Sequence, residues 1–495
     1  MTTRRPIQRF VRIAQAAIVL LLAALAGARP AGASEEQSIE GAWRGEIGFA
    51  ADRVEIAFDF RRNEQGDLVA FLYQPVVNLY GVALPGTLHR EEARFVNREF
   101  NLSLTRTAEG LEGTMTSLAM PITLRRTHGL PAEVPIADAP AGPGPRWRAK
   151  LGAPIYAAAA LRDGVAYVGT TGGVFQAVRL TDGGFEWTFN AGRSVHGEAL
   201  VTADHVYFAC DSGFLYKLDR RTGREIWKYD LGDAQVPRVL AHVAVFEYDY
   251  HGPRPLLDDG TVYVGSGDGA LHAVDDASGM RRWRHATGGK VRVGAVRSGA
   301  QVVFGSLDGT LYAVDARTGA LAWKRELRGA VTTAPIRAGD ALITGTRASA
   351  LYALRPDTGE TIWRDVFWGS WVESEPVVDA GTLYIGSSDL RRVSAIDPRD
   401  GRLAWRTDVF GCPWGRPALT GAKLYMGTVG TDPYSVRHVG GVVALERASG
   451  RIAWRWPAPA MPGALQSGFA ASPAIEGDTM VIGGLDGTLY AFPVD

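Results

Sequence analysis

Two stretches of the sequence, forty residues apart, decide the fold: Thr261–Asp275 reads TVYVGSGDGALHAVD and Gln301–Asp315 reads QVVFGSLDGTLYAVD. Each alternates apolar residues, reaches a glycine, turns at Asp-Gly and then alternates again. Alternation on both sides of an Asp-Gly turn is typical of an antiparallel β-hairpin. Because the hairpin recurs at a fixed period, it indicates an architecture built from repeats.

Each hairpin runs on to a glycine and, four residues later, a tryptophan. Seven such steps follow one another, and a further tryptophan precedes them. The eight tryptophans are Trp147, Trp187, Trp227, Trp283, Trp323, Trp363, Trp405 and Trp454. Their successive spacings are 40, 40, 56, 40, 40, 42 and 49 residues. Four short strands in about forty residues predict the blade of a β-propeller. A long β-solenoid is the alternative, but the hairpins favour antiparallel pairing.

The ends of the repeat array predict how the propeller closes. The array begins with a lone tryptophan strand at Trp147 and ends with three strands within Ser472–Phe492. If the first strand pairs with the last three, the ring closes and no open sheet edge remains. We therefore predict an all-β protein with an eight-bladed propeller over residues 146–495. We name the strands of a blade A, B, C and D, with the tryptophan on D.

The repeat motif strongly resembles the pyrroloquinoline-quinone (PQQ) repeat. The residues that carry the resemblance are Val-Tyr-Val-Gly-Ser, Asp-Gly, Leu-Tyr-Ala-Val-Asp, Thr-Gly and Trp, over Trp147–Asp495. The family includes eight-bladed quinoprotein alcohol dehydrogenases and the propeller subunit of the outer-membrane β-barrel assembly machinery. The resemblance implies that the eight tryptophans pack between blades. It is compatible with either an enzyme or a binding protein.

The first 33 residues predict an export signal. Four arginines precede the uncharged apolar run Ile13–Ala26, and Ala31-Gly32-Ala33 provides a small-residue cleavage site before Ser34. We expect a periplasmic or secreted protein with no transmembrane anchor in its mature form, since the apolar run is short for a span of about 20 residues. An uncleaved anchor is the alternative. No cysteine near the cleavage site offers a lipid attachment point, and Arg4-Arg5 leaves Sec or twin-arginine export open.

Residues 34–129 lack the repeat and predict a separate small β-module. Val54–Phe60 and Leu68–Tyr73 flank a polar turn, and further alternating segments give five or six antiparallel strands. We expect a small barrel or sandwich, and the opening Gly41-Ala-Trp43 resembles lipocalin-like barrels. The interior could be filled by side chains or hold a ligand. Residues 130–145 are rich in Pro, Ala and Gly and predict a linker.

Composition argues against one class of function and bears on disulfides. Lys+Arg and Asp+Glu both number 53, so the formal net charge is zero. Nucleic-acid binding proteins usually carry a basic face, so we expect no nucleic-acid partner. The only cysteines, Cys210 and Cys412, fall several blades apart in the repeat register, which favours two separate thiols.

Aligned repeats place a set of charged and aromatic residues near the propeller axis. The alignment uses a small or proline residue ten positions before the glycine of strand B, and we assign it to strand A. Side chains one and three positions earlier share one face by period two. If that face points to the axis, the candidate residues are Tyr156, His196, Glu198, Arg254, Arg292, Glu373, Glu375, Trp414 and Arg416.

Insertions favour a binding surface at one end of the propeller. The D-to-A loop is about 16 residues longer at Leu231–Gly252 and 7 longer in repeat eight, and the B-to-C loop is about 9 longer at Thr428–Gly441. Both loop types lie at the same end of an up-and-down blade, and loops on a rigid scaffold often carry binding. A water-filled channel with offsetting charges is the alternative. Glu373 and Glu375 could also form an acid/base pair.

Two hypotheses for function follow. The first is a non-catalytic binding or scaffold protein of the cell envelope that holds a protein or wall partner at the decorated rim. No common catalytic, haem or phosphate-loop motif occurs in the sequence. We predict no metal site and no catalytic residue beyond the weak pair above.

The second hypothesis is a PQQ-dependent oxidoreductase. The resemblance implies PQQ over an indole, here Trp414 or Trp371, with Arg292 or Arg416 facing its carboxylates. It also implies a vicinal Cys pair and Ca²⁺ held by Glu, Asn and often Asp. No two cysteines are adjacent, and the one asparagine of the propeller, Asn190, falls in a tryptophan strand. The Ca²⁺ ligands therefore cannot be matched residue by residue.

Overall fold

The computed structural model describes residues 38–48, 53–77, 79–89, 92–96, 100–115, 120–133, 139–238, 248–367, 370–431 and 438–494. The predicted export signal lies outside these residues and stays a prediction. Apart from one 3-10 turn at Pro75–Val77, the regular elements of the described residues are all strands. None of the described residues forms a helix with the length and apolarity that a membrane span requires.

The N-terminal module is a closed antiparallel barrel of eight strands in chain order, β1 pairing with β8. Its strands are β1 Gly41–Ile47, β2 Val54–Arg62, β3 Leu68–Gln74, β4 Leu79–His89, β5 Glu92–Val96, β6 Asn101–Arg106, β7 Leu111–Met115 and β8 Met120–Arg126. The prediction of a barrel is confirmed, but five or six strands was too few. The missed strands include β4 and β8, which contain prolines or glycines, such as Pro85 and Pro121, that mask a strand pattern.

The interior of the barrel is filled by side chains. Phe58, Phe60 and Phe95 are completely buried. The ring centroid of Phe60 lies 5.6 Å from that of Phe58 and 5.2 Å from that of Phe95. Trp43 on β1 is buried beneath the Arg126 guanidinium, whose carbon lies 4.8 Å from the ring centroid. Aromatic packing at this density gives the small module its hydrophobic stabilisation.

The remaining 33 strands form eight blades and one added strand, which confirms the eight-bladed propeller. Blades one to four, from the innermost strand outward, are β10 Ala160–Arg162, β11 Val165–Gly169, β12 Val174–Arg179, β13 Phe185–Asn190; β14 Leu200–Val201, β15 His205–Cys210, β16 Phe214–Asp219, β17 Glu225–Asp230; β18 Leu256–Asp258, β19 Thr261–Gly265, β20 Ala270–Asp275, β21 Arg281–Ala286; and β22 Val296–Ser298, β23 Gln301–Gly305, β24 Thr310–Asp315, β25 Leu321–Glu326.

Blades five to eight repeat the same order, and the first propeller strand completes the last blade. They are β26 Ile336–Ala338, β27 Ala341–Thr346, β28 Ala350–Leu354, β29 Thr361–Val366; β30 Val377–Asp379, β31 Thr382–Ile385, β32 Arg392–Ile396, β33 Leu403–Asp408; β34 Ala418–Leu419, β35 Lys423–Thr431, β36 Gly441–Glu446, β37 Ile452–Pro457, with β38 Gln466–Gly468 added to β35; and β39 Ala474–Glu476, β40 Thr479–Gly483, β41 Thr488–Pro493, β9 Trp147–Lys150.

The ring closes where the sequence predicts. Strand β9 pairs antiparallel with β41, so that Ala149 lies opposite Leu489 and Trp147 opposite Ala491. Ala149 and Leu489 are both buried in one hydrophobic cluster. The closing strand therefore supplies backbone pairing and side-chain packing together.

The structure explains why the repeat pairs a glycine with a tryptophan. Each glycine packs on the tryptophan of the preceding blade: a Cβ atom on Gly183, which has φ of +74°, would lie 2.7 Å from the Trp147 ring. The indole N–H groups of seven tryptophans donate to a backbone carbonyl of the next blade at 2.8–3.2 Å. The tryptophans thus join blades, as the resemblance implied.

The segment predicted as a linker supplies the glycine for the eighth tryptophan. Gly142 packs against Trp454, and its N–H donates to the Arg455 carbonyl at 2.7 Å. Ala141 forms an isolated parallel bridge with Arg455. Residues 141 and 142 are therefore docked on blade seven, and the Pro, Ala and Gly composition there does not mark a free tether.

Candidate functional site

A central cavity is lined by all eight blades at the two aligned positions that the repeats single out. Its volume is about 100 Å³. The structure brings all nine predicted residues to this one cavity: Tyr156, His196, Glu198, Arg254, Arg292, Glu373, Glu375, Trp414 and Arg416. The repeat geometry accounts for this convergence, so the convergence does not by itself indicate a function.

The assignment of these residues to strand A was wrong in detail. In each blade strand A is only two or three residues long and begins after them; β14, for example, starts at Leu200, two residues beyond Glu198. The segment before each strand A forms hydrogen bonds with a loop of the preceding blade instead. The Val195 N–H donates to the Thr170 carbonyl at 3.0 Å, and the Val291 N–H donates to the Ser266 carbonyl at 2.9 Å. Crowding at the axis favours contacts between blades over pairing within a blade.

Four charged side chains form a closed ring of alternating sign across the axis. Arg254 of blade three donates to Glu198 of blade two and Glu375 of blade six, both at 3.3 Å. Arg416 of blade seven donates to the same carboxylates at 3.1 and 3.4 Å. Burial opposes the charge on Arg416, but Glu375 and Glu198 outweigh it and raise its pKa. The neutral ring ties blades on opposite sides of the axis together.

A second set of ion pairs lies between blades two, three and four. Arg292 donates to Asp233 at 3.1 Å and to Asp249 at 3.3 Å. Arg238 donates to Asp249 at 3.2 Å and to Asp211 at 2.8 Å. Burial opposes ionisation of Asp211, but its cationic and hydrogen-bonding neighbours lower its pKa. The network fastens the start of the longest insertion, at Arg238, to the body of the propeller.

His196 closes one end of this second network. Its Nε2 atom lies 3.2 Å from an Asp211 oxygen, and its side chain is almost wholly buried. Burial, reinforced by the Arg238 charge, lowers the pKa of His196, so the imidazole is neutral at pH 7. A neutral histidine beside an ionised aspartate acts here as a packed polar residue.

Glu373 is the most enclosed charge in the cavity. Its fully buried carboxylate accepts a hydrogen bond from Arg347 Nε at 2.7 Å, contacts His251 Nε2, and lies 3.4 Å from the Tyr250 hydroxyl. Burial opposes ionisation, but the charges of Arg347 and His251 outweigh it and lower the pKa of Glu373 to about 2. Glu373 is therefore a carboxylate throughout the neutral pH range.

An aromatic cluster covers the same end of the cavity. The ring of Tyr250 stacks on the Trp414 indole, with centroids 5.3 Å apart and planes 22° apart. Tyr156 and Tyr248 approach Tyr250 to 5.4 and 5.7 Å. The Arg347 guanidinium carbon lies 4.4 Å from the Trp371 ring centroid, a cation–π contact. The side chains of this cluster fill the space beside the Trp414 indole.

Sequence reasoning missed two residues of the cavity wall and one partner behind it. Tyr250 and His251, which line the cavity, lie on the insertion Leu231–Gly252. Arg347, which pairs with Glu373, lies on the B-to-C loop of blade five. The signal for the first two was the run Tyr248-Asp-Tyr-His251 at the end of an insertion into a regular repeat. Arg347 had no such signal, because it occupies a normal loop.

The rim also shows how two of the three insertions are used. Insertion in repeat seven extends β35 to Thr431, and this extension pairs with β38 of the insertion in repeat eight: Val429 lies opposite Gly468. Residues 239–247 and 432–437 of the insertions lie outside the described residues. The described parts are hydrogen-bonded to the propeller, so this end of the molecule has a defined surface.

The geometry does not favour acid/base chemistry by Glu373 and Glu375. The two carboxylates belong to different sets of ion pairs, Glu373 with Arg347 and Glu375 with Arg254 and Arg416. A general acid or base works best with a pKa near the operating pH, and that of Glu373 is about 2. Both carboxylates hold the cavity wall together.

The residues present do not fit PQQ with Ca²⁺. Trp414 is covered by Tyr250, and Arg292 and Arg416 are engaged by carboxylates of the chain. Cys210 and Cys412 are separate buried thiols in blades two and seven, which agrees with the prediction of two unpaired cysteines. Asn190 ends the outer strand β13, far from strand A in its blade. The cavity is also smaller than the 300–1,000 Å³ or so of most ligand pockets.

Known proteins resemble this chain in part. The quinohemoprotein alcohol dehydrogenase of Comamonas testosteroni is 31% identical over 113 residues, which is 22% of this chain and 15% of that enzyme. The outer membrane protein assembly factor BamB of Yersinia pestis is 24% identical over 147 residues, 29% of this chain and 36% of that protein. The matches thus span well under half of either relative.

A solved structure and a family model extend the similarity to the whole propeller. The crystal structure of the Comamonas testosteroni dehydrogenase superposes with a TM-score of 0.55 at 15% identity, over 71% of this chain and 76% of that one. At that identity the match shows the fold alone. The family model described as outer membrane protein assembly factor BamB matches residues 136–243, 238–369 and 347–495. Because these matches cover most of the chain, the protein belongs to the BamB-type family of PQQ-like repeat propellers.

Proposed function

We propose that this protein is a non-catalytic binding or scaffold protein of the bacterial cell envelope. In this proposal the rim that carries the three insertions holds a protein partner. Three features support it. The chain belongs to a family whose model is described as an outer membrane protein assembly factor, residues 1–33 are predicted to be an export signal, and the charges of the axial cavity are paired within the chain.

The observation that carries the proposal is the ring of Arg254, Glu198, Arg416 and Glu375. A substrate pocket needs polar groups that are held ready for a ligand. Here each carboxylate of the ring is met by two guanidinium groups of the same chain. A ligand entering at the axis would have to break these pairs and leave partly buried charges without their partners, which is unfavourable. The axis therefore serves cohesion, and recognition is left to the rim.

The test compares two ends of the propeller. The sequence of residues 240–246 is mainly apolar (LAHVAVF), and we would replace it with a Gly-Ser linker of equal length. The matched control exchanges the charges of Arg355 and Glu360 (Arg355→Glu, Glu360→Arg), an exposed pair at the C-to-D turn of blade five, which lies at the opposite end. Each chain, with its export signal, is expressed in a Gram-negative envelope and cross-linked before purification.

We expect the wild type and the control to carry the same cross-linked partner and the rim variant to lose it with an unchanged Tm. Identical partner capture by all three chains would disprove the role of the rim. The absence of any captured partner from wild type would disprove the scaffold proposal in this envelope.

The alternative is a PQQ-dependent oxidoreductase, which the sequence matches to quinohemoprotein alcohol dehydrogenases favour. We would add PQQ and Ca²⁺ to the purified chain and follow the Tm, the absorbance of bound quinone and dye reduction with alcohols and sugars. We expect no change in any of the three. A stoichiometric quinone spectrum with dye reduction would establish the oxidoreductase and overturn the first proposal.

A further inference from the structure

Three potential metal ligands from three different loops meet at the seam between blades six and seven. Asp389 lies between β31 and β32, Cys412 between β33 and β34, and His438 between β35 and β36. One ligand atom of each lies within 4.8 Å of the other two. Cys412 and His438 are buried, and Asp389 is half-buried. None of the three belongs to the axial cavity described above.

The backbone around this cluster is held from several sides. Cys412 and Val429 form an isolated antiparallel bridge, with N–H to carbonyl distances of 3.0 and 2.9 Å. The N–H of Val439, next to His438, donates to the Phe410 carbonyl at 2.6 Å. Metal sites need donors that are held close to the binding geometry, and these backbone contacts limit how far the three loops can move apart.

A hydrogen bond orients the histidine. His438 Nδ1 lies 2.7 Å from the Thr431 hydroxyl oxygen, which leaves Nε2 as the nitrogen that would coordinate. Metal-bound histidines usually hydrogen-bond through their other ring nitrogen, which fixes the ring and its tautomer. Thr431 is the last residue of the extended β35, so the insertion in repeat seven supplies both the histidine and its support.

The donor set selects the class of metal. One thiolate, one imidazole and one carboxylate suit Zn²⁺, which binds such ligands at about 2.0–2.3 Å in tetrahedral sites. Ca²⁺ and Mg²⁺ prefer oxygen donors alone. In a tetrahedron with those bond lengths the donors stand roughly 3.3–3.8 Å apart, so donors at the full 4.8 Å would close by about 1.0–1.5 Å when the metal binds.

We propose that Asp389, Cys412 and His438 bind one Zn²⁺ ion at the seam of blades six and seven, with water as the fourth ligand. The ion would join the B-to-C loops of two neighbouring blades to the connection between them. Binding releases the thiol proton to solvent, since the thiolate is the ligand. Burial and the Asp389 charge raise the pKa of the Cys412 thiol, so without metal the proton is retained at neutral pH.

The experiment uses the full mature chain without a histidine tag, reduced and treated with chelator. Equilibrium dialysis against Zn²⁺ and metal analysis give the stoichiometry for wild type, Cys412→Ser, His438→Gln and the matched control Cys210→Ser. Cys210 is the other buried thiol and lies in blade two, away from the cluster. We expect one Zn²⁺ per chain for wild type and control and none for the two ligand variants. Thr431→Val should weaken binding by about 10- to 100-fold.

A spectroscopic arm keeps the test valid if a ligand variant fails to fold. Co²⁺ added to wild type should give a thiolate-to-cobalt charge-transfer band and the visible absorption of a tetrahedral site, and Zn²⁺ should abolish both. The proposal is overturned if wild type takes up no Zn²⁺, if the folded ligand variants bind it like wild type, or if bound Co²⁺ shows no thiolate band.

Discussion

Arg416 and Glu198 are 218 residues apart in the chain and three blades apart in the ring, yet their side chains meet at 3.1 Å across the propeller axis. Strand pairing links each blade only to itself, and packing links it to its neighbours. The Arg416–Glu198 pair, with its counterpart Arg254–Glu375, therefore couples blades that are not neighbours in the ring.

Removing one charge from this ring should cost more than removing two of opposite sign. Arg416→Met leaves Glu198 and Glu375 to share Arg254, and we expect a loss of about 1–3 kcal/mol, below the 3–5 kcal/mol of wholly buried pairs because the ring is partly exposed. The double variant Arg416→Met/Glu375→Gln leaves one balanced pair and should recover at least half of the loss. Urea unfolding at neutral pH measures both.

Arg399→Met is the control for that experiment. It removes an exposed partner of Asp397, a pair that solvent screens. The change should stay within about 0.5 kcal/mol. Equal losses for Arg416→Met and the double variant would show that the four charges do not act as a ring.

The closing strand provides a second prediction. Trp147→Ala removes the ring that packs on Gly183 and the hydrogen bond from its indole to the Leu180 carbonyl. We expect a loss of about 2–4 kcal/mol in the free energy of unfolding, by comparison with other large-to-small substitutions. Phe185→Ala, which removes an exposed aromatic ring on β13 of blade one, should change it by less than about 0.5 kcal/mol. A smaller effect at Trp147 than at Phe185 would contradict the seam seen here.

Glu373 predicts a specific dependence of stability on pH. Its pKa is about 2 in the folded chain against an ordinary 4.5, so its stabilisation is present above pH 4.5 and is lost as the pH falls toward 2. The difference corresponds to the order of 3 kcal/mol. Glu373→Gln should therefore destabilise the protein at pH 7. The difference in the free energy of unfolding between variant and wild type should become smaller between pH 5 and pH 3.

Glu360→Gln, at an exposed turn, should show no comparable gap at any pH. Unfolding by urea at pH 7, 5 and 3 supplies the comparison. A gap that is constant across this range would mean that Glu373 is not held as a carboxylate by Arg347 and His251.

The two thiols should be free and slow to react. Cys210 and Cys412 are both buried, and burial raises the pKa of each. A thiol reagent added at neutral pH with chelator and no reductant should label neither in the native chain and both in denaturant. Absence of labelling in denaturant would reveal a disulfide, and rapid native labelling would contradict the burial.

The repeats made most of the propeller predictable, because blade count, closure and axial positions all follow from a periodic pattern. Glu198 and Arg416 could be placed at the axis from alignment alone. Their ion-pair partners could not be predicted, because these depend on which blades face each other across the axis and on how far each side chain extends. Tyr250 and Arg238 come from an insertion with no equivalent in other repeats, so period gave no information about them.

The barrel was predicted less well for a related reason. Its strands are not copies of one another, so each had to be recognised alone, and β4 is interrupted by Gly81, Pro85 and Gly86. The metal-ligand cluster was missed altogether. Asp389, Cys412 and His438 are spread over fifty residues and come together only because B-to-C and D-to-A loops share one end of the blades.

The strand that closes the ring is the first part of the propeller to be made. Ala149 can pair with Leu489 only after Leu489, 340 residues further along the chain, has been synthesised. At about 5–20 residues per second, that is a delay of roughly 20–70 seconds during synthesis. Throughout that interval the hydrogen-bonding edge of β9 has no native mate. A cell that makes this protein must keep that edge from adhering to foreign strands until the last blade emerges.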